Sequence, residues 1–105
     1  MLVARYNKQP AEIKRYIVQM VDFLGTGEVI SSVASSVLVL NPLVLDSPSE
    51  PLLTTSSIAI VDNGNTFQYL ISAGTNGKRY KVTFLVNTSA GQIVELEAEF
   101  RVQEL

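Results

Sequence analysis

A strict two-residue alternation over residues 92–103 constrains the fold more than any other feature of this sequence. Apolar side chains occupy every second position, and charged ones fill most of the positions between them. Because side chains of a β-strand point alternately to opposite faces, the pattern predicts a strand with one buried face. Residues 80–87 repeat the alternation, and Ser89-Ala90-Gly91 between the two segments is typical of a three-residue hairpin loop.

This loop sets the register of the predicted hairpin by pairing Thr88 with Gln92. Inward residues then meet inward residues, as a half-buried hairpin requires. On the outer face Lys81 lies opposite Glu99, an attractive cross-strand pair worth about 0.2–1 kcal/mol. The predicted inward pairs are Val86 with Val94, Phe84 with Leu96, Val82 with Ala98 and Tyr80 with Phe100.

Shorter apolar and β-branched segments upstream predict further strands over residues 16–24, 29–40, 58–61 and 66–72. The tetrapeptide Asp62-Asn63-Gly64-Asn65 predicts the turn between the last two. A helical turn is predicted over residues 10–16, and a proline-containing loop over residues 41–51. About seven short strands separated by turns predict an all-β fold, an immunoglobulin-like antiparallel β-sandwich.

The length of 105 residues matches one domain. Residues 12–105 are predicted to form the sandwich. Residues 1–11 are predicted to be an N-terminal arm.

Composition excludes several classes of function. The chain has no Cys and no His, which removes thiolate nucleophiles, imidazole bases and the softer metal ligands. A net charge of −2 disfavours nucleic-acid binding. The longest apolar segment, residues 37–45, is interrupted by Asn41 and Pro42 and is far shorter than the ~20 residues of a membrane helix. Absence of Cys is consistent with synthesis in a reducing cytoplasm.

Candidate chemical motifs have simpler structural interpretations. Glu95, Glu97 and Glu99 form a carboxylate row, which we expect to be a solvated outer face. Gly25-Thr26-Gly27 lacks the Lys and the helix context of a phosphate loop and predicts a turn. No catalytic residue, metal site or cofactor is therefore predicted, and the chain is predicted not to be an enzyme.

A glycine-containing corner precedes the strand that begins at Tyr80. Immunoglobulin-like sandwiches place a tyrosine at this point, with its hydroxyl bonded to upstream backbone. Gly74, Gly77 and Tyr80 are the predicted structural corner, and Val82 then occupies the position of an antibody disulfide cysteine.

Apolar side chains that the pattern leaves outside the core are candidates for a protein interface. Some lie on the outer face of the hairpin, some in the proline-containing region and some in the arm. The predicted interface residues are Val3, Tyr6, Leu43, Leu45, Leu52, Leu53, Leu85 and Ile93.

Two segments resemble a family of small virion proteins of tailed bacteriophages, described as fibre–tail adaptors or neck-associated immunoglobulin-like proteins. Residues 16–32 (YIVQMVDFLGTGEVISS) are similar to the opening of these proteins, and residues 73–82 (AGTNGKRYKV) to their Gly-x-x-Gly-x-x-Tyr-x-Val corner. The likeness covers residues 12–104. The segment 41–60 departs from it, since the family often has a Trp in the second strand and this chain has none.

The resemblance implies a structural protein of the virion, made in the host cytoplasm. It would be present in several symmetric copies and would bind portal or neck, tail or fibre proteins, with no nucleic acid or membrane as partner. One alternative remains open: an adhesion or carbohydrate-binding immunoglobulin-like module, for which Tyr6 and Tyr69 are the candidate exposed aromatics.

Overall fold

A computed structural model describes residues 2–40 and 52–104, and within them the chain forms seven strands. Two single-turn 3-10 segments, Val21–Phe23 and Asp62–Gly64, lie between strands. No helix among the described residues is long and apolar enough to cross a membrane. The strands are β1 (Leu2–Lys8), β2 (Lys14–Gln19), β3 (Ile30–Val39), β4 (Leu53–Val61), β5 (Thr66–Ala73), β6 (Arg79–Thr88) and β7 (Ile93–Val102).

The strands form two packed sheets with the orders β1-β7-β6-β3 and β2-β5-β4. Lettered A to G in chain order, they read A-G-F-C and B-E-D. The constant-type immunoglobulin arrangement is ABED against CFG, so this fold differs by the position of its first strand. The prediction of an all-β, immunoglobulin-like sandwich of seven strands is confirmed. It is antiparallel except for the parallel pair β1–β7.

The predicted N-terminal arm is a strand of the larger sheet over most of its length. β1 pairs with β7 from Leu2 opposite Glu97 to Lys8 opposite Val102, so its backbone is ordered without a partner protein. Tyr6 points inward, with its ring centroid 4.5 Å from that of Tyr16. The boundary placed between residues 11 and 12 therefore does not separate an arm from the sandwich.

The β6–β7 hairpin has the predicted register in every inward pair, from Val86 opposite Val94 to Tyr80 opposite Phe100. The loop closes as predicted, with the Thr88 N–H donating to the Gln92 carbonyl at 3.0 Å. The outer-face ion pair is different. Lys81 lies opposite Glu99 in the register, but its Nζ is 2.9 Å from the carboxylate of Glu97 on the diagonal.

Other strand boundaries differ where local pattern is weak. β2 ends at Gln19, and the 3-10 segment Val21–Phe23 replaces the predicted extension to residue 24. β4 begins at Leu53 rather than residue 58, because an irregularity between Ser56 and Ala59 breaks its alternation. The predicted helical turn over residues 10–16 is instead a single tight turn, in which the Glu12 N–H donates to the Gln9 carbonyl at 3.1 Å, and β2 already begins at Lys14. The predicted loop over residues 41–51 lies outside the described residues.

The core lies between the sheets and is dominated by aromatic rings. Tyr69 and Phe84, from opposite sheets, have ring centroids 4.6 Å apart. Tyr16 and Phe100 meet edge to face at 5.2 Å. Such pairs stabilise a core by about 0.5–1.5 kcal/mol beyond their buried area. The chain has no disulfide, so aromatic and aliphatic packing holds the sheets together.

Candidate interaction surfaces

The predicted corner forms where β5 leads into β6. The Thr75 N–H donates to the Tyr80 hydroxyl oxygen at 2.9 Å, the backbone contact expected of a tyrosine at this position. Gly74 has φ +95°, and a Cβ there would lie 2.8 Å from Val102 Cγ2. Gly77 has φ +86°, and its N–H donates to the Val102 carbonyl at 2.8 Å. The corner thus ties the start of β6 to the end of β7, and its glycines are required by backbone conformation and by close packing.

The outer face of the four-stranded sheet carries the predicted apolar residues of the hairpin. Leu85 is 43% exposed and Ile93 is 69% exposed. Ile93 lies opposite Asn87, so it is a diagonal neighbour of Leu85 across the hairpin. Ala34 of β3 lies directly opposite Leu85 on the other side. We call Ala34, Leu85 and Ile93 the apolar patch.

Small polar side chains surround the apolar patch on β3. Ser32 lies opposite Asn87 and accepts a hydrogen bond from its amide at 3.1 Å, and Ser36 lies opposite Thr83. Short side chains leave this part of the sheet low and flat, so another protein can approach the backbone closely. Outer faces of antiparallel sheets are ordinarily polar, which makes exposed Leu and Ile here informative.

The remaining predicted interface residues do not join this patch. Val3 is exposed on β1, at the other edge of the sheet, and Leu52 is exposed just before β4 in the second sheet. Tyr6 is half-buried against Tyr16 and Phe100. Leu53 is 2% exposed, so its assignment to a surface is wrong: β4 already begins there and turns its side chain into the core. Leu43 and Leu45 lie outside the described residues.

Sequence reasoning missed several other exposed apolar side chains, among them Ile17 and Leu38, each 57% exposed. Ile17 lies on β2 between the inward Tyr16 and Val18, in a segment apolar on both faces. An apolar segment of this kind gives no contrast from which to assign faces. Leu38 lies on β3 between Val37 and Val39, which pack against the core. The alternation of this strand was the only sequence signal that could have predicted the outward position of Leu38.

The carboxylate row on β7 is paired with cations rather than gathered around a common point. Glu97 contacts Lys81, and the Glu99 carboxylate is 2.8 Å from Arg5 Nε. The hydrogen bond from Lys81 lowers the pKa of Glu97 below its usual value of 4.5. Among the described residues no cluster of acidic side chains is arranged to hold a metal ion. These carboxylates form a salt-bridged outer face, as expected.

The fold places the chain in the class of small immunoglobulin-like β-sandwich domains, with large apolar side chains exposed on the outer faces of both sheets. The chain belongs to the family described as podophage GP4 fiber-tail adaptor protein gp77, which it matches over residues 8–103. This confirms the resemblance seen in the sequence to fibre–tail adaptors of phages. The family role is that of a structural virion component that contacts other tail or fibre proteins. No curated protein matches the chain.

Proposed function

We propose that this adaptor is a non-enzymatic docking module, present in several symmetric copies, that binds a tail or fibre protein through the outer face of its four-stranded sheet. The observation that carries the proposal is the apolar patch. Leu85 and Ile93 are 43% and 69% exposed in the middle and at the hairpin end of this face. Removing such side chains from water is the main favourable contribution to most protein association.

The geometry around the patch supports a protein as the occupant. A flat sheet face with serines and alanine on β3 admits an extended surface, whereas a small molecule needs a concave site. The edge of this sheet at β3 also presents backbone groups that a neighbouring strand can pair with. Both features favour another folded protein or a strand of it.

Composition supports the remaining parts of the proposal. The chain has no His or Cys to act as base or nucleophile, and its net charge is −2. These properties favour a role without catalysis, without nucleic acid and without a membrane as partner. Synthesis in the host cytoplasm is consistent with a fold that uses no disulfide.

The proposal is tested with Leu85→Lys and a matched control, Ile17→Lys. Both positions are exposed apolar sites on strands, on the outer faces of different sheets. The variants are mixed with the purified tail and fibre proteins of the same phage, and complexes are measured by native mass spectrometry. We expect the wild type and Ile17→Lys to form complexes with several copies of the chain, and Leu85→Lys to lose them while keeping its melting temperature.

Equal binding by Leu85→Lys would show that the apolar patch is not the docking surface. A single copy of the chain in every complex would contradict the symmetric assembly. Each result is distinct, because the first concerns affinity and the second stoichiometry.

The carbohydrate-binding alternative lacks the surface that it requires. Tyr69 is 1% exposed in the core, and Tyr6 stacks on Phe100 with ring centroids 5.2 Å apart. All eight aromatic side chains of the sequence lie in the described part of the chain, and each is buried or half-buried there. A glycan platform built from exposed aromatic rings is therefore not favoured.

A further inference from the structure

The edge of the four-stranded sheet at β3 lacks the features that usually keep an edge strand from pairing. Natural sheets protect exposed edges with charged side chains, prolines, bulges or short strands. β3 runs for ten residues, Ile30–Val39, without a charge or a proline. Its register with β6 is irregular only at the start, between Ile30 and Ser32. The rest of β3 is therefore open to pairing with another strand.

The other three edge strands of the sandwich each carry such a protection. On β1 the side chain of Arg5 is 73% exposed. β2 spans only six residues and begins with the exposed Lys14 and Arg15. β4 has an irregularity between Ser56 and Ala59. Among the described strands, β3 is thus the edge most suited to association.

The backbone groups directed to this free edge belong to the inward-facing residues of β3. Just beyond the strand, the Leu40 N–H donates to the Arg79 carbonyl of β6 at 2.8 Å. Antiparallel strands alternate between residues that bond to one neighbour and residues that bond to the other. Counting back from Leu40, the residues that direct N–H and C=O to the free edge are Val33, Ser35 and Val37. Within the described part of the chain, no strand lies beside this edge to receive them.

The centre of β3 is symmetric about Ser35. Val33 and Val37 lie two residues to either side of it, and the small Ala34 and Ser36 lie one residue to either side. A two-fold contact between identical chains requires a self-complementary surface, in which residue i of one copy meets residue j of the other and the reverse. An axis at Ser35 pairs Val33 of each copy with Val37 of the other, and Ser35 with its own counterpart. All of these residues direct their backbone to the edge, so the three pairs form about six hydrogen bonds.

We propose that two copies of this chain pair through β3, antiparallel about a two-fold axis at Ser35, so that their four-stranded sheets join edge to edge. The inference rests on the proposed symmetric assembly and supplies its smallest unit. Because β3 carries no charge, the two copies meet without like-charge repulsion. The contact also covers Val33 and Val37, which a single copy leaves half-buried.

The dimer has a consequence for the apolar patch. A two-fold axis between antiparallel strands is perpendicular to the sheet, so the outer faces of both copies lie on the same side. Two apolar patches then share one continuous face, and a single tail or fibre protein can contact both.

The test uses the purified chain alone, so that it does not depend on tail or fibre proteins. Sedimentation equilibrium over a wide range of concentrations should show a monomer–dimer equilibrium for the wild type. Ser35 is exposed, so Ser35→Lys should fold normally and place like charges opposite each other at the axis. We expect it to weaken dimerisation about tenfold at low salt. The matched control is Ser56→Lys, at an exposed serine on edge strand β4, which should leave dimerisation unchanged.

A mixture of two variants tests the position of the axis. Equal amounts of Ser35→Lys and Ser35→Glu should form the mixed dimer in preference to either homodimer in native mass spectrometry, because residue 35 lies opposite itself. Ser35→Cys provides a second test, since the chain has no cysteine of its own. Directly opposite residues of a hydrogen-bonded pair have Cα atoms about 5.5 Å apart, within the disulfide range of roughly 4.4–6.8 Å. Mild oxidation should link Ser35→Cys into dimers and leave Ser56→Cys unlinked.

A wild type that stays monomeric at every concentration would overturn the pairing. Equal weakening by Ser35→Lys and Ser56→Lys would also overturn it, because the effect of charge would then be general. If the wild type is monomeric alone and Ser35→Lys loses its complex with tail and fibre proteins, a partner strand occupies the edge, and this inference fails while the adaptor function stands. If the wild type dimerises through Ser35 but binds no tail or fibre protein, the adaptor function fails and the dimer stands.

Discussion

The two ends of the sandwich are each closed by a buried charged side chain, but the charges have opposite signs and are held in different ways. Lys8, only 1% exposed, lies at the end where β7 terminates. Its Nζ donates to the carbonyl oxygens of Gln9, Pro10 and Ala73 at 2.8, 3.1 and 2.7 Å. An ammonium group has three protons, so all of its donors are satisfied by backbone carbonyls.

Glu28 lies at the opposite end, beside the hairpin loop. Its Oε1 accepts from the Gly25 N–H at 2.8 Å, and its Oε2 accepts from the Gln92 side chain at 2.8 Å and from the Thr88 hydroxyl. Two of these three donors are side chains, whereas Lys8 is held entirely by the main chain. The Glu28 site joins the β2–β3 connection to the β6–β7 hairpin.

Both groups have a lowered pKa, and the physical causes are opposite. Burial lowers the pKa of Lys8 below 10.5, because desolvation disfavours its charged form. Hydrogen bonds, first from Gly25 and then from Thr88 and Gln92, lower the pKa of Glu28 below 4.5, because they favour its charged form. The charge of Glu28 therefore stabilises the fold. Burial of the Lys8 charge is unfavourable, and the hydrogen bonds from its ammonium group to three backbone carbonyls offset that cost.

The largest effect is expected from deleting residues 1–8, which removes β1 together with the Lys8 end of the sandwich. β7 would lose its parallel partner, and Phe100 would lose its contact with the Tyr6 ring at 5.2 Å. The loss should approach the whole stability of a small domain, about 5–15 kcal/mol. Circular dichroism and urea titration should show a chain without cooperative unfolding. An unchanged urea midpoint would show that β1 is dispensable, as an N-terminal arm would be.

A smaller loss is expected from Lys8→Met, which retains an unbranched apolar side chain and removes the ammonium group. Three carbonyl oxygens lose their donor, and the expected destabilisation is about 3 kcal/mol. Lys14→Met is the control, because Lys14 is exposed and its Nζ is 3.4 Å from a Glu12 carboxylate oxygen. Urea denaturation of both variants measures the difference. If the two variants have equal midpoints, the carbonyls of the Lys8 site are satisfied without it.

The difference between the well-predicted hairpin and the mispredicted β1 has a physical origin. In residues 79–102 buried apolar positions alternate with mostly polar outward positions, and a short loop joins the two strands. The local sequence pattern therefore determines the register. β1 pairs in parallel with β7, and Ala4 and Ala98 are register partners although nearly the whole chain separates them. No local pattern encodes such a pairing. The inward position of Lys8 makes β1 still harder to predict from the sequence, because a charged side chain is rarely fully buried.

The same difference between local pattern and long-range pairing decides which surface features the sequence predicts. Leu85 and Ile93 were assigned to the outer face from the alternation of one hairpin. A cavity lined by Arg5, Arg79 and Arg101 cannot be predicted from the local sequence, because these residues come from β1, β6 and β7 and meet only through sheet order. Leu53 was misplaced because prolines precede it, and they obscured the start of β4.

A moderate effect is expected from Glu28→Gln at the hairpin end. The amide group of Gln keeps one acceptor oxygen and replaces the other with an NH2 group, which donates and cannot accept. The native donors from Gly25, Thr88 and Gln92 are then left with a single acceptor oxygen in place of two. We expect a melting temperature about 5–10 °C lower, with Glu104→Gln, at an exposed position beyond β7, as the control. A melting temperature equal to that of the control would show that hydrogen bonding at Glu28 does not require its charge.

The smallest effect is expected from a change of pH, which tests whether Glu28 stabilises the fold through its charge or through its shape. A carboxylate whose folded pKa is lowered stabilises the fold above its unfolded value of 4.5, and this stabilisation is lost as pH falls through the folded pKa. The gap in urea midpoint between wild type and Glu28→Gln should therefore be wide at about pH 6 and narrower at about pH 3. Glu12 and Glu97 also have lowered pKa values, but both proteins retain them, so their contributions cancel in the gap. A gap of the same width at both pH values would mean that the geometry of the amide alone destabilises the variant. The charged form of Glu28 would then not stabilise the fold, and its contrast with Lys8 would disappear.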